Sequence, residues 1–392
     1  MNLIEVTQKY VLNTYQRAKV VFVKGKGVYL YSTEGERYID LFPGWGVSIL
    51  GHAHPRISKV ISQQAKRLIH LPNNFYNEFQ GELAKEIVKR AFKGKVFFCN
   101  SGAESVEAAI KFCRAWGKSW NKYEIISMKN SFHGRTMGAL SLTAQKKYQM
   151  PFKPLLKGAK FCKFNDIKDF EKKLSPKTCA VFLELIQGEG GINIADIDFI
   201  KKVYQICKEK NILFIVDEVQ TGMGRCGKWF LFKDYGIIPD GMCLSKGLGA
   251  GFPIGAFVAH IDKADVFKPG MHASTFGGNP LACRVALEVF KIIEEEDLIK
   301  RVRFLSRKIF ERLYKLKNKF KVIKEVRGKG FMIGIELKTS AQKIAERAFK
   351  NKLLINCTHQ KILRLLPALN TPEELLHKGL DILEFCFKKE FK

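Results

Sequence analysis

Lys246 is the residue of this sequence best suited to covalent chemistry. It lies in residues 243–249, CLSKGLG, between a short apolar run and a glycine-rich segment. A lysine amine forms a Schiff base only when neutral, which requires a desolvated or electropositive site that lowers its pKa. The neighbouring glycines let the backbone approach a flat ligand closely. In a chain with 67 Lys and Arg residues, a solvated surface lysine is the alternative, and other residues must decide between the two.

Two further groups of residues suited to ligand binding follow predicted strands. Residues 100–105, NSGAES, form a small turn before a predicted helix, where free N–H groups and the helix dipole can bind an anion. Simple capping of that helix by Ser101 is the alternative. In residues 132–136, FHGRT, Phe132 can stack on a planar ring and Arg135 can clamp a carboxylate. The alternative there is a core Phe and a surface Arg.

Carboxylates follow two more predicted strands. Glu184 and Glu189 belong to a glycine-rich loop beyond an apolar run, where unpaired charges are costly. Asp217 ends the apolar run 212–216 and can hold a pyridine nitrogen protonated, which makes the ring an electron sink. The same run resembles the magnesium-binding strand of P-loop NTPases. We reject that interpretation because the chain has no GxxxxGK[ST] loop.

These residues follow strands that alternate with helices over residues 95–260. Such alternation predicts an α/β fold with a mostly parallel sheet that is covered on both faces. Ligands bind beyond the carboxyl ends of the strands in sheets of this kind. The predicted strands are 96–99, 125–128, 159–164, 178–185, 212–216, 242–244 and 256–259, and the predicted helices lie near 103–118, 137–143, 167–174 and 197–210.

The two ends of the chain show different patterns. Residues 20–31 predict a β-hairpin with its turn at 24–27, and residues 57–92 have helical spacing. From residue 280 the pattern indicates a smaller α+β unit. Its predicted helices are 280–318, 340–350 and 372–388, and its predicted strands are 320–326, 331–337, 353–356 and 362–365. We therefore expect an N-terminal segment (1–45) packing with a C-terminal small domain (281–392), and a large ligand-binding domain (46–280).

The composition limits the class of protein. A hydrophobic content of 46% over 392 residues is ample for a sizeable core. The formal net charge of +29 raises nucleic-acid binding as an alternative from a different class. However, the basic residues are dispersed along the chain, and no RRM, KH or zinc-finger motif is present. A lysine-rich solvated surface is the better interpretation, and it can speed the capture of anionic substrates.

The remaining motifs predict no metal, membrane or secretory function. The ten cysteines are scattered without a CxxC pair, which indicates reduced thiols in a cytosolic protein. His52 and His54 lie in a Gly/Pro turn without further metal ligands, so we expect a structural role for them. No stretch reaches the roughly 20 apolar residues of a membrane span, and the first residues lack a secretory pattern. We therefore expect a cytoplasmic protein.

In combination these motifs resemble the class III aminotransferases of fold type I, which use pyridoxal phosphate. The resemblance covers almost the full length, from residues 13–15 and 51–55 to 363–367. Within the family the chain is most similar to the acetylornithine-type members. The most specific blocks are 100–105, 132–136, 217–222 with Gly224 and Arg225, 245–249 and 274–280.

The resemblance implies a role for each matching residue of the cofactor site. Lys246 carries the Schiff base and shuttles the proton between the substrate and the cofactor. Asp217 pairs with the pyridine nitrogen, Phe132 and Val219 sandwich the ring, and Gln220 contacts its phenolic oxygen. The other residues implied at the cofactor are Ser101, Gly102, Ala103, His133 and Thr275. Gly102 and Ala103 bind the phosphate. The active unit is expected to be a homodimer, in which Thr275 reaches the phosphate of the other subunit.

The resemblance also implies how substrates bind. Arg135 and Arg364 bind the two carboxylates of 2-oxoglutarate, and Glu189 covers Arg364 and swings away for a dicarboxylate. Glu184 lies near the ring and the substrate. The implied reaction transfers the terminal amino group of N2-acetylornithine to 2-oxoglutarate. The remaining residues implied at the substrate are Tyr15, Trp45 and Ser274.

Two positions depart from the family pattern. Leu185 replaces the usual Pro after Glu184, which we expect to change loop stiffness more than chemistry. Trp45 replaces a small aliphatic residue of the acetylornithine-type members, while ornithine-type members carry an aromatic there. Ornithine, 4-aminobutyrate and N-succinyl-diaminopimelate therefore stay open as alternative donors.

Overall fold

The computed structural model describes residues 2–391, and its strands and helices are numbered in chain order. The strands are β1 Phe22–Lys26, β2 Tyr29–Ser32, β3 Arg37–Asp40, β4 Gly94–Cys99, β5 Glu124–Met128, β6 Ala159–Cys162, β7 Thr178–Glu184, β8 Ile186–Gln187, β9 Asn193–Ile194, β10 Leu213–Asp217, β11 Gly241–Leu244, β12 Gly255–His260, β13 Ile323–Lys329, β14 Met332–Leu337, β15 Leu353–Leu354, β16 Asn356–Thr358 and β17 Ile362–Leu365. The α-helices are α1 Leu3–Tyr10, α2 Pro55–Ala65, α3 Gln80–Arg90, α4 Gly102–Gly117, α5 Met137–Leu142, α6 Lys146–Gln149, α7 Ile167–Lys173, α8 Ile197–Glu209, α9 Pro280–Glu295, α10 Leu298–Lys319, α11 Gln342–Lys350 and α12 Glu373–Glu390.

The largest sheet has seven strands in the order β4-β12-β11-β10-β7-β5-β6. All its pairings are parallel except those of β12, which runs antiparallel to both β11 and β4. Asp217, the last residue of β10, pairs with Glu184, the last residue of β7. The register therefore places the two predicted carboxylates side by side at the carboxyl edge of the sheet.

Successive residues of the central strands pack on opposite faces of the sheet. In β10, Phe214 and Val216 join one apolar cluster, while Leu213 and Ile215 join another that includes α4. The first cluster extends into the C-terminal part of the chain through α9, α10 and α12. Both faces are thus covered, as the near-continuous apolar strands predict. The predicted mostly parallel α/β fold is confirmed.

The two ends of the chain contact each other. β3 pairs in parallel with β15, so the N-terminal sheet β1-β2-β3 is completed by a C-terminal strand. A separate antiparallel sheet, β13-β14-β17-β16, carries Arg364 on β17. The division into domains at residues 45 and 280 stays a prediction.

Three local expectations were wrong. The helical run 280–318 is two helices, because Asp297 adopts a left-handed conformation with φ 47° between α9 and α10. The helical region 57–92 is also two helices, separated by residues 66–79, which contain Pro72. The hairpin turn is shorter than predicted, since Lys26 pairs with Tyr29 and leaves only Gly27 and Val28 in the turn.

No helix within residues 2–391 combines the length and the apolar character that crossing a membrane requires. The same residues contain no group of three or more His, Cys, Asp or Glu side chains placed to hold a metal ion. His52 instead contacts Asp40 Oδ2 at 2.9 Å through Nε2. All ten cysteines are free thiols, and nine of them are buried.

Candidate active site

A cavity of about 280 Å³ lies beyond the carboxyl ends of β5, β7, β10 and β11. Each strand is followed by at least one residue that the sequence singled out, so the sheet gathers them at one edge. The lining residues are Gly102, Ala103, Phe132, His133, Gly134, Arg135, Glu184, Ile186, Glu189, Asp217, Val219, Gln220, Thr221, Ser245 and Lys246.

Lys246 lies two residues beyond the end of β11 and is half-buried in this cavity. Its backbone has a left-handed conformation with φ 45°. Burial lowers the pKa of the Lys246 amine, and the charge of Arg364 acts in the same direction, while Glu189, Asp217 and Glu184 oppose the shift. The net result favours the neutral amine, which is the nucleophilic form.

Asp217 and His133 form a buried pair at the edge of the sheet. His133 Nδ1 lies 2.7 Å from Asp217 Oδ2, and the side chains are 0% and 6% exposed. The second oxygen of Asp217 accepts a hydrogen bond of 3.0 Å from the Val219 backbone N–H. The His133 ring packs edge-on against Phe182 with the ring centres 4.7 Å apart. Asp217 is therefore held in one orientation at the cavity wall.

Glu184 is a second buried carboxylate in the cavity. Its two oxygens accept hydrogen bonds of 3.0 Å from the backbone N–H groups of Phe132 and Gly188. Burial raises the pKa of Glu184 to about 7, and the negative charge of Asp217 contributes to the rise. Glu184 can therefore gain or lose a proton near neutral pH.

The residues at the start of α4 form another wall of the cavity. Ser101 caps the helix, with its side chain accepting a hydrogen bond of 3.2 Å from the Glu104 N–H. Gly102 and Ala103, the first residues of the helix, line the cavity. A Cβ at Gly102 would lie only 2.9 Å from Val219 Cγ1, so the close packing here requires glycine. Capping by Ser101 is thus present beside N–H groups that can hold an anion.

Arg364 and Glu189 form an ion pair next to Lys246. Arg364 Nη2 lies 2.6 Å from Glu189 Oε1, and the Arg364 side chain is 0% exposed. The Asn356 Oδ1 atom accepts hydrogen bonds of 3.2 and 3.0 Å from the same guanidinium, whose carbon lies 4.9 Å from the centre of the Phe42 ring. Arg364 Nη1 is buried without a hydrogen-bond partner. One donor of a fully buried cation is therefore available for another acceptor.

The chain matches the family model "Aminotransferase class-III" over residues 10–387. It belongs to the class-III aminotransferases. Among the relatives of this class-III chain, the acetylornithine aminotransferase of Caldanaerobacter subterraneus subsp. tengcongensis is 47% identical over 97% of this chain and 98% of its own length. The acetylornithine aminotransferase of Methanocaldococcus jannaschii is 43% identical over 98% of each chain.

Solved class-III structures show the same architecture. An ornithine aminotransferase from Toxoplasma gondii superposes with a TM-score of 0.93 at 32% identity and covers 98% of this chain and 93% of its own. The acetylornithine aminotransferase of Elizabethkingia anophelis has a TM-score of 0.87 at 32% identity over 98% of both chains. The expected fold type I and the family are therefore confirmed.

Pyridoxal 5′-phosphate is the cofactor of class-III aminotransferases, and the residues of this chain fit it. The cavity holds a lysine with a lowered pKa, a buried aspartate for a ring nitrogen, and helix N–H groups for a phosphate. Gln220 Oε1 is buried without a partner, while Gln220 Nε2 donates a hydrogen bond of 3.3 Å to the Trp45 carbonyl. The orphaned oxygen marks a polar position that a ligand can occupy.

Besides Ser101 and Arg364, which adjoin the cavity, four residues assigned by sequence are absent from the lining of this class-III cavity. Tyr15 is 66% exposed and lines a separate depression formed by residues 3–22. Ser274 and Thr275 line another depression with Tyr76, and Ser274 Oγ accepts a hydrogen bond of 3.2 Å from the Gly277 N–H. Trp45 reaches the site only through its carbonyl, and its side chain is 50% exposed.

Sequence reasoning missed three residues that hold the arginines of this class-III site. Tyr148 lies under Arg135, whose guanidinium carbon is 3.6 Å from the centre of the ring. Phe42 and Asn356 contact Arg364. Tyr148 and Phe42 sit in ordinary mixed-polarity stretches, and Asn356 lies on a three-residue strand, so no local pattern distinguishes them.

Proposed function

We propose that this chain transfers the terminal amino group of N2-acetylornithine to 2-oxoglutarate, giving N-acetylglutamate 5-semialdehyde and glutamate. The observation that carries the proposal is the Glu189–Arg364 pair beside Lys246. A buried guanidinium needs a carboxylate partner, which either Glu189 or a substrate can supply. The same pocket can therefore accept a dicarboxylate, which replaces Glu189, and a longer amino donor, which leaves Glu189 in place. The donor is supported by the relatives named as acetylornithine aminotransferases, at 43–47% identity over nearly the whole chain.

Pyridoxal phosphate supplies an electron sink when it is bound. Lys246 would hold the cofactor through its amine and would move a proton at the substrate carbon that bears the amino group. Asp217 would keep the pyridine nitrogen protonated, and His133 keeps Asp217 in place. Phe132 and Val219 would enclose the ring. Gly102 and Ala103 would donate backbone N–H groups to the phosphate from the start of α4, next to the cap residue Ser101.

Substrate carboxylates bind to Arg135 and Arg364 in this proposal. Glu189 lies on a loop with three flanking glycines, and its carboxylate leaves Arg364 when 2-oxoglutarate enters. Glu184, with a pKa of about 7, tunes the charge beside the ring. Trp45, Tyr15 and Ser274, whose side chains lie outside the cavity, are proposed to shape the approach of the donor to it.

We further propose a cytoplasmic homodimer of the arginine-biosynthesis pathway, in which Thr275 reaches the partner's phosphate. Thr275 is exposed, which leaves it available to a second subunit. Large apolar side chains around it are also exposed: Tyr76 is 102% and Phe276 60% accessible. Sedimentation at several protein concentrations tests this, and a species that stays monomeric at micromolar concentration contradicts it.

A panel of donors tests the proposed reaction. With 2-oxoglutarate as acceptor, we expect the kcat/KM for N2-acetylornithine to exceed those for ornithine, 4-aminobutyrate and N-succinyl-diaminopimelate. A higher value for ornithine would reassign the donor and give Trp45 the role of selecting it. Trp45→Ile then serves as the matched variant, because it restores the small aliphatic residue of the acetylornithine-type members.

Lys246→Ala tests the covalent role. We expect turnover to fall by at least about 10³-fold, since a positioned acid–base group contributes about 10²–10⁴-fold and the covalent attachment is lost as well. Borohydride reduction followed by peptide mapping should find the cofactor on the Lys246 peptide in the wild type. Cofactor linked at an unchanged level in Lys246→Ala would show that another lysine carries it.

A further inference from the structure

A depression of about 640 Å³ concentrates positive charge outside the active-site cavity. Lys129, Lys146, Lys147 and Lys153 line it together with His359, and no Asp or Glu does. All five side chains belong to exposed residues. Within residues 2–391, none of these four lysines has a carboxylate oxygen within 4.0 Å of its amine. The depression, called here the basic depression, is therefore a cationic surface whose lysines form no contact ion pair.

Some lysines elsewhere on the surface form ion pairs. Lys160 Nζ lies 2.7 Å from Glu124, and Lys319 Nζ lies 2.8 Å from Glu384. Pairs of this kind shorten the reach of the field, because opposite charges nearby cancel at a distance. The four lysines of the basic depression have no such contact pairs and give this surface a positive charge, although Lys129 at its edge also lines a neighbouring depression with Asp196, Glu325 and Glu336.

Aromatic and cationic side chains connect the basic depression to the active site. The Lys147 amine lies 4.6 Å from the centre of the Tyr148 ring, and the Arg135 guanidinium carbon lies 3.6 Å from the same centre. Arg135 lines the active-site cavity. One aromatic ring thus separates a lysine of the basic depression from a candidate carboxylate clamp.

The loop that carries Glu189 forms a second connection. Thr358 Oγ1 donates a hydrogen bond of 3.1 Å to the Glu189 carbonyl, and His359 of the basic depression follows Thr358 directly. On the same loop, Gln187 Nε2 donates a hydrogen bond of 2.8 Å to the Lys129 carbonyl. The segment 187–189 therefore contacts residues on the side of the basic depression, while Glu189 lines the active-site cavity.

We propose that the basic depression attracts the dianionic acceptor, 2-oxoglutarate, to the active site and favours its capture over that of a donor without net charge. This inference rests on the proposed function. At neutral pH 2-oxoglutarate carries two negative charges, whereas the carboxylate and the terminal ammonium of N2-acetylornithine cancel. A cationic surface next to a cleft raises the local concentration and the association rate of anions, and leaves a net-neutral zwitterion almost unaffected.

The test uses the holoenzyme and a double variant, Lys146→Gln/Lys147→Gln. In a two-substrate exchange reaction, kcat/KM is measured separately for 2-oxoglutarate and for the donor. Ionic strength is varied from about 0.01 M to about 0.15 M, over which the Debye length falls from about 30 Å to about 8 Å. The matched control is Lys201→Gln/Lys202→Gln on α8, which removes the same charge. These two lysines are exposed and line neither the active-site cavity nor the basic depression.

At low ionic strength we expect the Lys146/Lys147 variant to lose about tenfold in kcat/KM for 2-oxoglutarate and to keep its value for the donor. The loss should shrink at the higher ionic strength, and kcat should not change. The control pair, and the charge-conserving Lys146→Arg/Lys147→Arg, should behave as the wild type.

Three outcomes would overturn the inference. The variant could show the same salt dependence as the wild type, it could lose equally with the donor, or the control pair could lose as much. If transamination is intact, any of these outcomes rejects the proposed role of the basic depression and leaves the proposed function standing. If the wild type turns over no combination of the four donors with 2-oxoglutarate, the proposed function fails, and this inference fails with it.

Discussion

Two carboxylates of the active site, Asp217 and Glu189, have side-chain partners that are held in different ways. Asp217 ends a central strand, and its partner His133 is completely buried, so both members are fixed by the sheet and its core. In the other pair only Arg364 lies on a strand. Glu189 lies on a glycine-rich loop, and its side chain is 21% exposed. One pair is rigid on both sides, and the other joins a rigid cation to a movable anion.

This difference matches the two tasks that the proposed function gives these residues. A group that tunes a cofactor must keep its geometry through both halves of an exchange reaction, and burial on a strand end achieves that. A group that recognises two unlike substrates must be exchangeable. Asn356 and Phe42 hold Arg364 independently of Glu189, so the guanidinium stays in position when its carboxylate partner changes.

The largest expected effect comes from breaking the rigid pair. In the proposed function, Asp217→Asn removes the charge that would keep the pyridine nitrogen protonated and replaces the carboxylate that His133 Nδ1 contacts. We expect kcat to fall by about 10²–10³-fold in both half-reactions, which is typical of losing one preorganised electrostatic group. Asp240→Asn is the control, since Asp240 is also buried but outside the cavity. A loss confined to one half-reaction would show that Asp217 acts on a substrate.

Breaking the exchangeable pair should have a smaller and one-sided effect. Arg364→Ala should raise KM for 2-oxoglutarate by about 10- to 150-fold, because a hydrogen bond to a charged group contributes about 1.5–3 kcal/mol. Glu189→Ala should not raise it, since it leaves the guanidinium free. Arg364→Lys should restore only part of the affinity, because an ammonium lacks the planar fork. Equal losses for Arg364→Ala and Glu189→Ala would contradict an exchange between protein and substrate carboxylates.

Glu184 sharpens the comparison through pH, because it is as rigidly held as Asp217 but its pKa is raised to about 7 from 4.5. Between these values the folded protein binds a proton that the unfolded chain has lost, so this group's contribution to stability falls as pH rises. The slope is at most about 1.4 kcal/mol per pH unit. Glu184→Gln lacks this slope. The free energy of unfolding of the variant should therefore rise relative to that of the wild type from pH 5 to 7. Parallel denaturation curves across that range would contradict the shift.

The fold was largely predictable because its strands are apolar on both faces. All seven strands of the central sheet overlap their predicted ranges, and the apolar runs end where the functional residues begin. The site residues at strand ends were predictable for the same reason: a parallel sheet brings its carboxyl ends together. Asp217, Glu184 and Lys246 therefore lie in one cavity, as expected from their positions in the sequence.

What sequence reasoning missed depends on contacts between distant parts of the chain or on single backbone angles. Phe42 and Arg364 are more than 300 residues apart in the sequence but lie in contact. The pairing of β15 with β3 brings the two ends of the chain together near them. The break at Asp297 rests on one left-handed residue in a run with helical spacing. Neither leaves a periodic pattern, which is what sequence reasoning detects.

The smallest expected effect concerns Tyr148, which supports the second arginine. The centre of its ring lies 3.6 Å from the Arg135 guanidinium carbon. The ring also packs edge-on against Phe132, with the ring centres 6.2 Å apart. Tyr148→Ala should weaken binding of the carboxylate at Arg135 by about 0.5–1 kcal/mol, or about two- to fivefold in KM. Tyr148→Phe keeps the ring face and should match the wild type. A loss in Tyr148→Phe equal to that in Tyr148→Ala would mean that the hydroxyl, and not the ring, positions Arg135. The support of Arg135 would then be polar, like the contact of Asn356 with Arg364.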